Sequence, residues 1–321
     1  MASNLDTLVT VFGGSGFLGR NVVRALCRRD YRVRVAVRRP ELAGFLQPSG
    51  KVGQVHTVQA NLRYPASVEA AVRDSQVVIN LVGILTEGGA QSFDAVQAKG
   101  AETVARAAAA VGAQMVHVSA IGADAESPSR YAKAKAAGEA AVTTAVPSAT
   151  IFRPSVMFGP EDQFTNRFAA LAQMSPVLPL IGGETKMQPV YVGDVATAIA
   201  DAVDGKAKAG AAYELGGPEV LTMREIIEAI LAIADRKRAL VSLPFGLARF
   251  KAQFLQFAPG ALKLTPDQVT LLERDNVVSE AARSAGLTLE GLGITPDSLE
   301  AIAPQYLWRF RAAGQFQRKS A

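Results

Sequence analysis

The 321-residue chain has one cysteine, Cys27, and two histidines, His56 and His117. A single thiol excludes an intramolecular disulfide framework and any multi-cysteine metal or iron–sulfur site, and two histidines exclude a multi-histidine zinc centre. No metal site is expected. The longest near-continuous apolar run, residues 77–85 with Asn80 and Gly83 inside it, is far too short for a bilayer span. The first residues carry no basic-then-apolar leader, which predicts no signal peptide and a reducing compartment. Charged residues make up 20% of the chain and apolar residues 49%, a balance that excludes disorder and leaves enough apolar surface for a large core.

Acidic residues are scarce in particular places. The net charge is only +5, but residues 1–40 hold eight arginines (Arg20, Arg24, Arg28, Arg29, Arg32, Arg34, Arg38, Arg39) against Asp6 and Asp30. Residues 236–263 contain no acid, and the tail carries Arg309, Arg311, Arg318 and Lys319. These basic residues do not interleave with aromatics in any reading module, so no nucleic-acid role is expected.

Strand-like runs at residues 8–12, 32–37, 55–58, 77–81, 114–119 and 149–152 alternate with helical patterns, among them 93–110 and 131–142. That rhythm predicts an α/β fold with a doubly wound parallel sheet covered on both faces. After Pro154 it loosens. Short strands are expected at 190–192 and 212–215 with a helix over 194–203 between them, which Asp194 would cap. Thr222 with Glu225 forms a capping box, Thr265-Pro266-Asp267-Gln268 starts another helix, and Thr295-Pro296-Asp297 a third. The expected domains are 1–155, which binds a nucleotide, and 156–321, a smaller, discontinuous, mostly helical lobe with parts returning to the first.

Gly13-x-x-Gly16-x-x-Gly19 lies between the first strand and the first helix, the context that gives this motif its meaning. Gly13 permits the tight turn, Gly16 lets a pyrophosphate approach the backbone, and Gly19 lets helix and sheet pack closely. Ser15, Phe17 and Leu18 fall within the same turn and helix start and join the expected cofactor contacts. The second strand ends in Arg38-Arg39, and no acid occurs between Tyr31 and Pro40. An acid there would hold a ribose 2′-hydroxyl, whereas a guanidinium pairs with a 2′-phosphate, so NADP(H) is expected over NAD(H), with Arg38 the stronger contact. Asn61 and Leu62 after the third strand are placed to meet adenine. Asn80, Val82 and Gly83 close the fourth strand at the edge where ligands bind, and Pro154 closes the sixth; all join the expected contacts.

Ser119 ends the fifth strand, and Tyr131 and Lys135 stand four residues apart on one helical face. A lysine ammonium favours a neighbouring phenolate and also holds a nicotinamide ribose, while a serine hydroxyl steadies a substrate oxygen. The same residues serve equally as cofactor contacts alone. Cys27, His56 and His117 read as structural.

The glycine pattern, Asn80-x-x-Gly83, Tyr131/Lys135, Arg153-Pro154 and Tyr191-Val192-x-Asp194-Val195 resemble the extended or atypical short-chain dehydrogenase/reductase superfamily over roughly residues 7–235. Within it, residues 9–20, Ser129-Arg130-Tyr131 and the ending Pro304-Gln305-Tyr306-Leu307-Trp308-Arg309 most resemble the nucleotide-binding accessory subunits of respiratory complex I of the alpha-subcomplex subunit nine type, in a bacterial form. The resemblance implies a Rossmann-like fold, tightly held NADPH (or NADP+) without established turnover, and partners among the peripheral-arm subunits. It also implies a peripheral location on the cytoplasmic side of the inner membrane, or the matrix side in a mitochondrion. Two departures stand out: Ala120 and Ile121 occupy positions where active extended members carry a serine or threonine, and Asn61 replaces an aspartate. The other reading is a free NADP-dependent reductase, dehydrogenase or nucleotide-sugar epimerase using Tyr131, Lys135 and Ser119.

Residues 243–260 carry Leu247, Phe250, Phe254 and Phe257 on one broad helical stripe, with Arg249 and Lys251 beside it. The stripe suits packing into the small lobe, a partner or an anionic membrane surface. Tyr306, Trp308 and Phe310 suit either an interface anchor or a clamp on the chain's own core.

Overall fold

The computed structural model describes residues 4–312; Arg318 and Lys319 of the basic tail lie outside them. Six strands run through the first half: β1 (Leu8–Phe12), β2 (Arg32–Val37), β3 (Val55–Gln59), β4 (Val77–Asn80), β5 (Gln114–Val118) and β6 (Thr150–Pro154). With Ala212–Leu215 they form a seven-stranded sheet ordered Ala212–Leu215, β6, β5, β4, β1, β2, β3. Every pairing in it is parallel. Parallel strands need crossover helices, and these are α1 (Phe17–Arg28), α2 (Pro65–Val72), α3 (Lys99–Ala110) and α4 (Arg130–Ala145). The result is the Rossmann-type doubly wound sheet that the alternation predicts. The order reverses between β1 and β4, the place where such sheets bind ligands.

The central strands are buried on both faces and read as apolar runs, with all four residues of β4 buried, whereas the edge strand β3 keeps His56 and Gln59 exposed. One face holds Phe12, Val68, Val72, Val78, Val104, Met115 and Val142, filled out by alanines from α3. Small side chains there let helices approach the sheet closely. Cys27 is buried and burial pushes its thiol up to about 11, so it behaves as an inert apolar residue.

The chain divides into two compact units. One takes the residues through Pro154 together with Gly193–Leu215 and Ser279–Ile294; the other takes Ser155–Val192, Gly216–Val278 and the residues from Thr295 on. In the second unit, α5 (Thr165–Met174) and α7 (Met223–Ile233) share a core of Phe158, Leu178, Leu180, Ile226, Ile230 and Leu307. Between them in sequence, α6 (Val192–Val203) belongs almost wholly to the first unit. Tyr306 is buried in the second unit's core, its hydroxyl 2.9 Å from Thr165 Oγ1 and 3.2 Å from Asp162 Oδ2. The terminal aromatic cluster is thus anchored in its own unit through Tyr306.

Several boundaries differ from expectation. Both capping boxes are present, Thr222 with Glu225 on α7 and Thr265 with Gln268 on α9 (Pro266–Leu271). The helix expected at Thr295 starts instead at Leu299, capped by Ser298, because Ser298 Oγ accepts the Ala301 amide. Asp194 sits inside the first turn of α6 rather than ahead of it, since the helix begins at Val192. The helical stretch before α3 opens with a π-helical turn, Asp94–Ala98. Such turns re-aim single side chains and recur at functional sites.

Candidate functional site

At the sheet's reversal point the chain leaves β1 through Gly13, whose φ of 78° lies in the left-handed region. A Cβ on Gly13 would come within 3.2 Å of the backbone at Leu81 and Val82, so the turn after β1 touches the end of β4. Gly19 is tighter still: a Cβ there would sit 2.2 Å from the Gly13 carbonyl oxygen and 2.6 Å from Gly14 Cα. A Cβ on Gly16 would meet only the Gly13 oxygen, at 3.3 Å. Gly16 is also the N-cap of α1 and supplies no side-chain acceptor. The first-turn amides and helix dipole are therefore placed to serve an anion.

A cleft of about 250 Å³ opens above this turn. Of the expected contacts, Gly13, Ser15, Gly16, Arg38, Asn61, Leu62, Val82 and Gly83 line it. Arg63, Ile84, Gln91 and Val96, which sequence reasoning missed, line it too. Phe17, Leu18, Gly19, Arg39, Asn80, Ser119, Tyr131, Lys135 and Pro154 are not among its lining residues. Leu18 is packed into the core at 7% exposure, leaving only its backbone for a ligand. Arg39 stands just before the turn of 3-10 helix that follows β2. Pro154 pairs with Leu215 and accepts the Ile121 amide.

Asn80 acts from beneath. It is buried, its Oδ1 accepts the Val82 amide at 3.1 Å, and its amide nitrogen lies 3.3 Å from His117 Nδ1. It therefore fixes the backbone that forms the cleft wall. Arg38 is exposed, and among the described residues its guanidinium makes no hydrogen bond or ion pair. Arg63 is placed beside Asn61, whose Oδ1 accepts the Arg63 amide at 3.2 Å. Two arginines thus line the cleft, one after β2 and one after β3.

At the other end a buried polar cluster surrounds the close of β5. Lys135 is 5% exposed and its Nζ donates to the Val118 carbonyl at 3.2 Å. Burial pushes its ammonium down to about 8. A Cβ on Gly83 would lie 3.5 Å from Lys135 Nζ and 3.6 Å from Gln97 Oε1, so both groups flank the glycine gap. Tyr131 stands one turn before Lys135, its ring 5.7 Å from that of Phe93 and 5.8 Å from Lys135 Nζ. Gln97 belongs to the π-helical turn and is clamped by α4, because a Cβ on Gly138 would come 2.2 Å from the Gln97 carbonyl oxygen.

Four buried polar atoms here have no partner among the described residues: Gln97 Nε2 and Oε1, Ser119 Oγ and His117 Nε2. An orphaned buried polar atom costs about 1–3 kcal/mol, and a cluster of them next to a glycine gap is what a polyhydroxylated ligand would satisfy. The arrangement fits a dinucleotide: amides for a pyrophosphate, guanidiniums for a phosphate at the adenine end, and Lys135, Gln97 and Ser119 for ribose or nicotinamide oxygens.

The loop between β4 and α3 is tied down by Glu87. Its carboxylate receives Arg130 Nη1 at 2.7 Å and Nη2 at 3.1 Å, and also accepts the Phe93 amide at 2.8 Å. Arg153 is bound up with Glu139 at 2.5 Å and 2.9 Å, and Arg167 with the carbonyls of Ala261 and Lys263. Both arginines thus serve structure. A separate cavity in the second unit, about 340 Å³ and lined by Leu180, Gly183, Arg224 and Phe245 among others, brings together no catalytic set.

His117 is buried, and burial together with the charge on Lys135 pushes its imidazole down to about 3. The folded protein holds it neutral while the unfolded chain takes a proton below its ordinary 6.5. The unfolded state then binds more protons between about 6.5 and 3, so stability falls as pH drops through that window. We expect the ligand-free protein to lose melting temperature from pH 6.5 to 5, and His117→Asn to flatten that slope in thermal unfolding at stepped pH.

The model of the NAD dependent epimerase/dehydratase family matches residues 9–216. Subunit 9 of the alpha subcomplex of mitochondrial NADH dehydrogenase (ubiquinone) from Arabidopsis thaliana is 37% identical over 320 residues, covering 96% of this chain and 79% of that protein. A ceramide reductase of Caulobacter vibrioides is 36% identical over 196 residues, 61% of each chain. The solved NADPH-dependent quinone oxidoreductase of Escherichia coli, complexed with NADPH, superposes with a TM-score of 0.73 over 93% of this chain and 99% of that one; at 18% identity the likeness speaks for the fold alone. The chain belongs to the NAD-dependent epimerase/dehydratase family of short-chain dehydrogenase/reductase-like Rossmann proteins, and groups within it with the alpha-subcomplex subunit 9 type.

Proposed function

We propose that this chain is an NADP(H)-holding accessory subunit of a proton-pumping NADH:quinone oxidoreductase, structural or regulatory in role and without turnover of its own. The observation that carries the reading is the near full-length similarity to subunit 9 of the alpha subcomplex, together with a guanidinium, Arg38, that lines the cleft and has no partner among the described residues. Gly13, Ser15 and Gly16 would hold the pyrophosphate, Arg38 and Arg63 the 2′-phosphate, and Asn61 and Leu62 the adenine. Lys135, Tyr131, Gln97 and Ser119 would hold the nicotinamide ribose and its neighbourhood. When bound, the nucleotide supplies a hydride donor or acceptor; in this reading its service is to brace the fold for partners on the peripheral arm. The proposed seat is peripheral, on the cytoplasmic face of the inner membrane or the matrix face in a mitochondrion. No helix among the described residues is long and apolar enough to cross a membrane. Affinity purification from solubilised membranes should recover the oxidoreductase with the tagged chain; repeated recovery without it sinks the reading.

A second reading has its own support. Ser119, Tyr131 and Lys135 are all retained, Ser119 Oγ has no partner among the described residues, and the Caulobacter ceramide reductase is 36% identical over 61% of the chain. In that reading Tyr131 donates a proton to a carbonyl oxygen, Lys135 lowers the cost of the phenolate left behind, and Ser119 holds the oxygen. Tyr131→Phe separates the two. An enzyme would lose about 100-fold or more of NADPH-dependent carbonyl reduction with NADPH binding intact, whereas a holding subunit would assemble and respire unchanged.

A further inference from the structure

The helix α8 (Phe245–Leu255) is built inside out. Its buried residues are Ala248 and Ala252, which pack with Val269 of α9. Phe245 packs inward with them, but most of the large apolar residues face solvent: Leu247 is 47% exposed, Phe250 59% and Phe254 66%, and Phe257 just beyond the helix end is 84% exposed. At 100° per residue these four fall within an arc of roughly 80°, on the side opposite the two alanines. Phe250 and Phe254 stack edge to face at 5.6 Å, and Leu262, 48% exposed, follows in the next turn. A helix serving only its own core would turn Phe250 and Phe254 inward as it does Phe245. A contiguous apolar ridge left in water marks a surface that something covers.

The charges around the ridge say what. Residues 236–263 contain no acid. Lys251 is exposed at the edge of the arc, and the ammonium groups of Lys251 and Lys263 have no partner among the described residues. Arg249, on the far flank, already neutralises Glu273. The ridge is made of phenyl and leucyl groups without a hydroxyl or indole to fix a partner's orientation, and is bounded by Pro244 and Pro259. Rigid protein partners are met by anchors that combine aromatic and polar recognition. A bare apolar ridge flanked by free lysines matches the boundary between headgroups and acyl chains of an anionic bilayer.

We propose that α8 and the segment through Leu262 dock on an anionic phospholipid surface, with Phe250, Phe254 and Phe257 entering the acyl boundary and Lys251 and Lys263 meeting lipid phosphates. This goes beyond both readings above and holds under either, since a respiratory accessory subunit and a reductase acting on a membrane lipid both work at a bilayer.

The test is flotation of the purified full chain, loaded with NADPH, with vesicles of phosphatidylcholine containing one part in three of phosphatidylglycerol, and with vesicles of phosphatidylcholine alone. The chain should float with the anionic vesicles, and molar salt should weaken the binding. Phe254→Ser/Phe257→Ser should lower the bound fraction about tenfold or more. Both side chains are exposed, so melting temperature and NADPH retention should stay unchanged, which keeps a failure of this proposal distinct from a failure of the cofactor reading. Absence of flotation, equal flotation by the double variant, or a concentration-dependent dimer that the double variant abolishes would overturn it; the last would assign the ridge to a second copy of the chain.

Discussion

Gly19→Ala is expected to cost about 3 kcal/mol or more of folding stability and to abolish measurable nucleotide binding, while Gly16→Ala is expected to cost far less stability and still lose the nucleotide. The contrast follows from what a methyl group would meet. At Gly19 it would lie 2.2 Å from one backbone atom and 2.6 Å from two others, and backbone in a turn fixed by Gly13 has nowhere to move. Overpacking of that kind forces the helix off the sheet, at a cost in the upper range for single substitutions. At Gly16 the methyl would have one neighbour, the Gly13 oxygen at 3.3 Å, which a small shift relieves, so the fold loses much less. What it removes is the close approach of a pyrophosphate to the backbone and to the start of α1. Thermal unfolding and NADPH titration of both variants check this; equal losses of stability, or NADPH binding that survives Gly16→Ala, would argue that the turn is packing alone.

Arg38→Glu carries the other large effect. Arg38 lines the cleft, is exposed and has no internal partner among the described residues, so replacing it should leave stability within about 0.5 kcal/mol. A guanidinium–phosphate pair is a charge-assisted, two-bond contact of about 1.5–3 kcal/mol, and a carboxylate in its place adds repulsion. NADPH affinity should fall about 100-fold or more, with NADH affinity changed little, as read by calorimetric titration. Arg39→Ala should matter much less, because Arg39 is not in the cleft wall, and Arg63→Ala should lie between them. An Arg38→Glu protein that still prefers NADPH would move the 2′-phosphate contact elsewhere.

Much of this was legible in the chain itself. The strands at the centre of the main sheet, β1 and β4, announce themselves because each is a short, almost wholly buried apolar run, and the glycine spacing reports backbone contacts that no other residue allows. The buried polar cluster beside Gly83 was harder to see. Gln97 has no motif around it, and its importance comes from a π-helical turn and from Gly138 pressing α4 against it, a contact 41 residues apart in sequence. His117 reads as an ordinary strand residue; only its bond to Asn80 and its nearness to Lys135 tie it to the site. Arg63 lies in a loop whose aim depends on Asn61. Thr295-Pro296-Asp297 carried every local sign of a helix start, yet Ser298 caps instead, because cap residues compete over a few positions and packing of Leu299 into the second unit's core decides the outcome. The stripe on α8 was visible as a periodicity, but periodicity gives a face without saying which way it points.

The account stands or falls on what nucleotide the native protein holds. Mass spectrometry of the ligand released from protein purified gently, without added cofactor, should find NADP+ or NADPH in near-stoichiometric amount. Finding NAD(H) instead, or a protein that carries no nucleotide and binds NADH more tightly than NADPH, would contradict it.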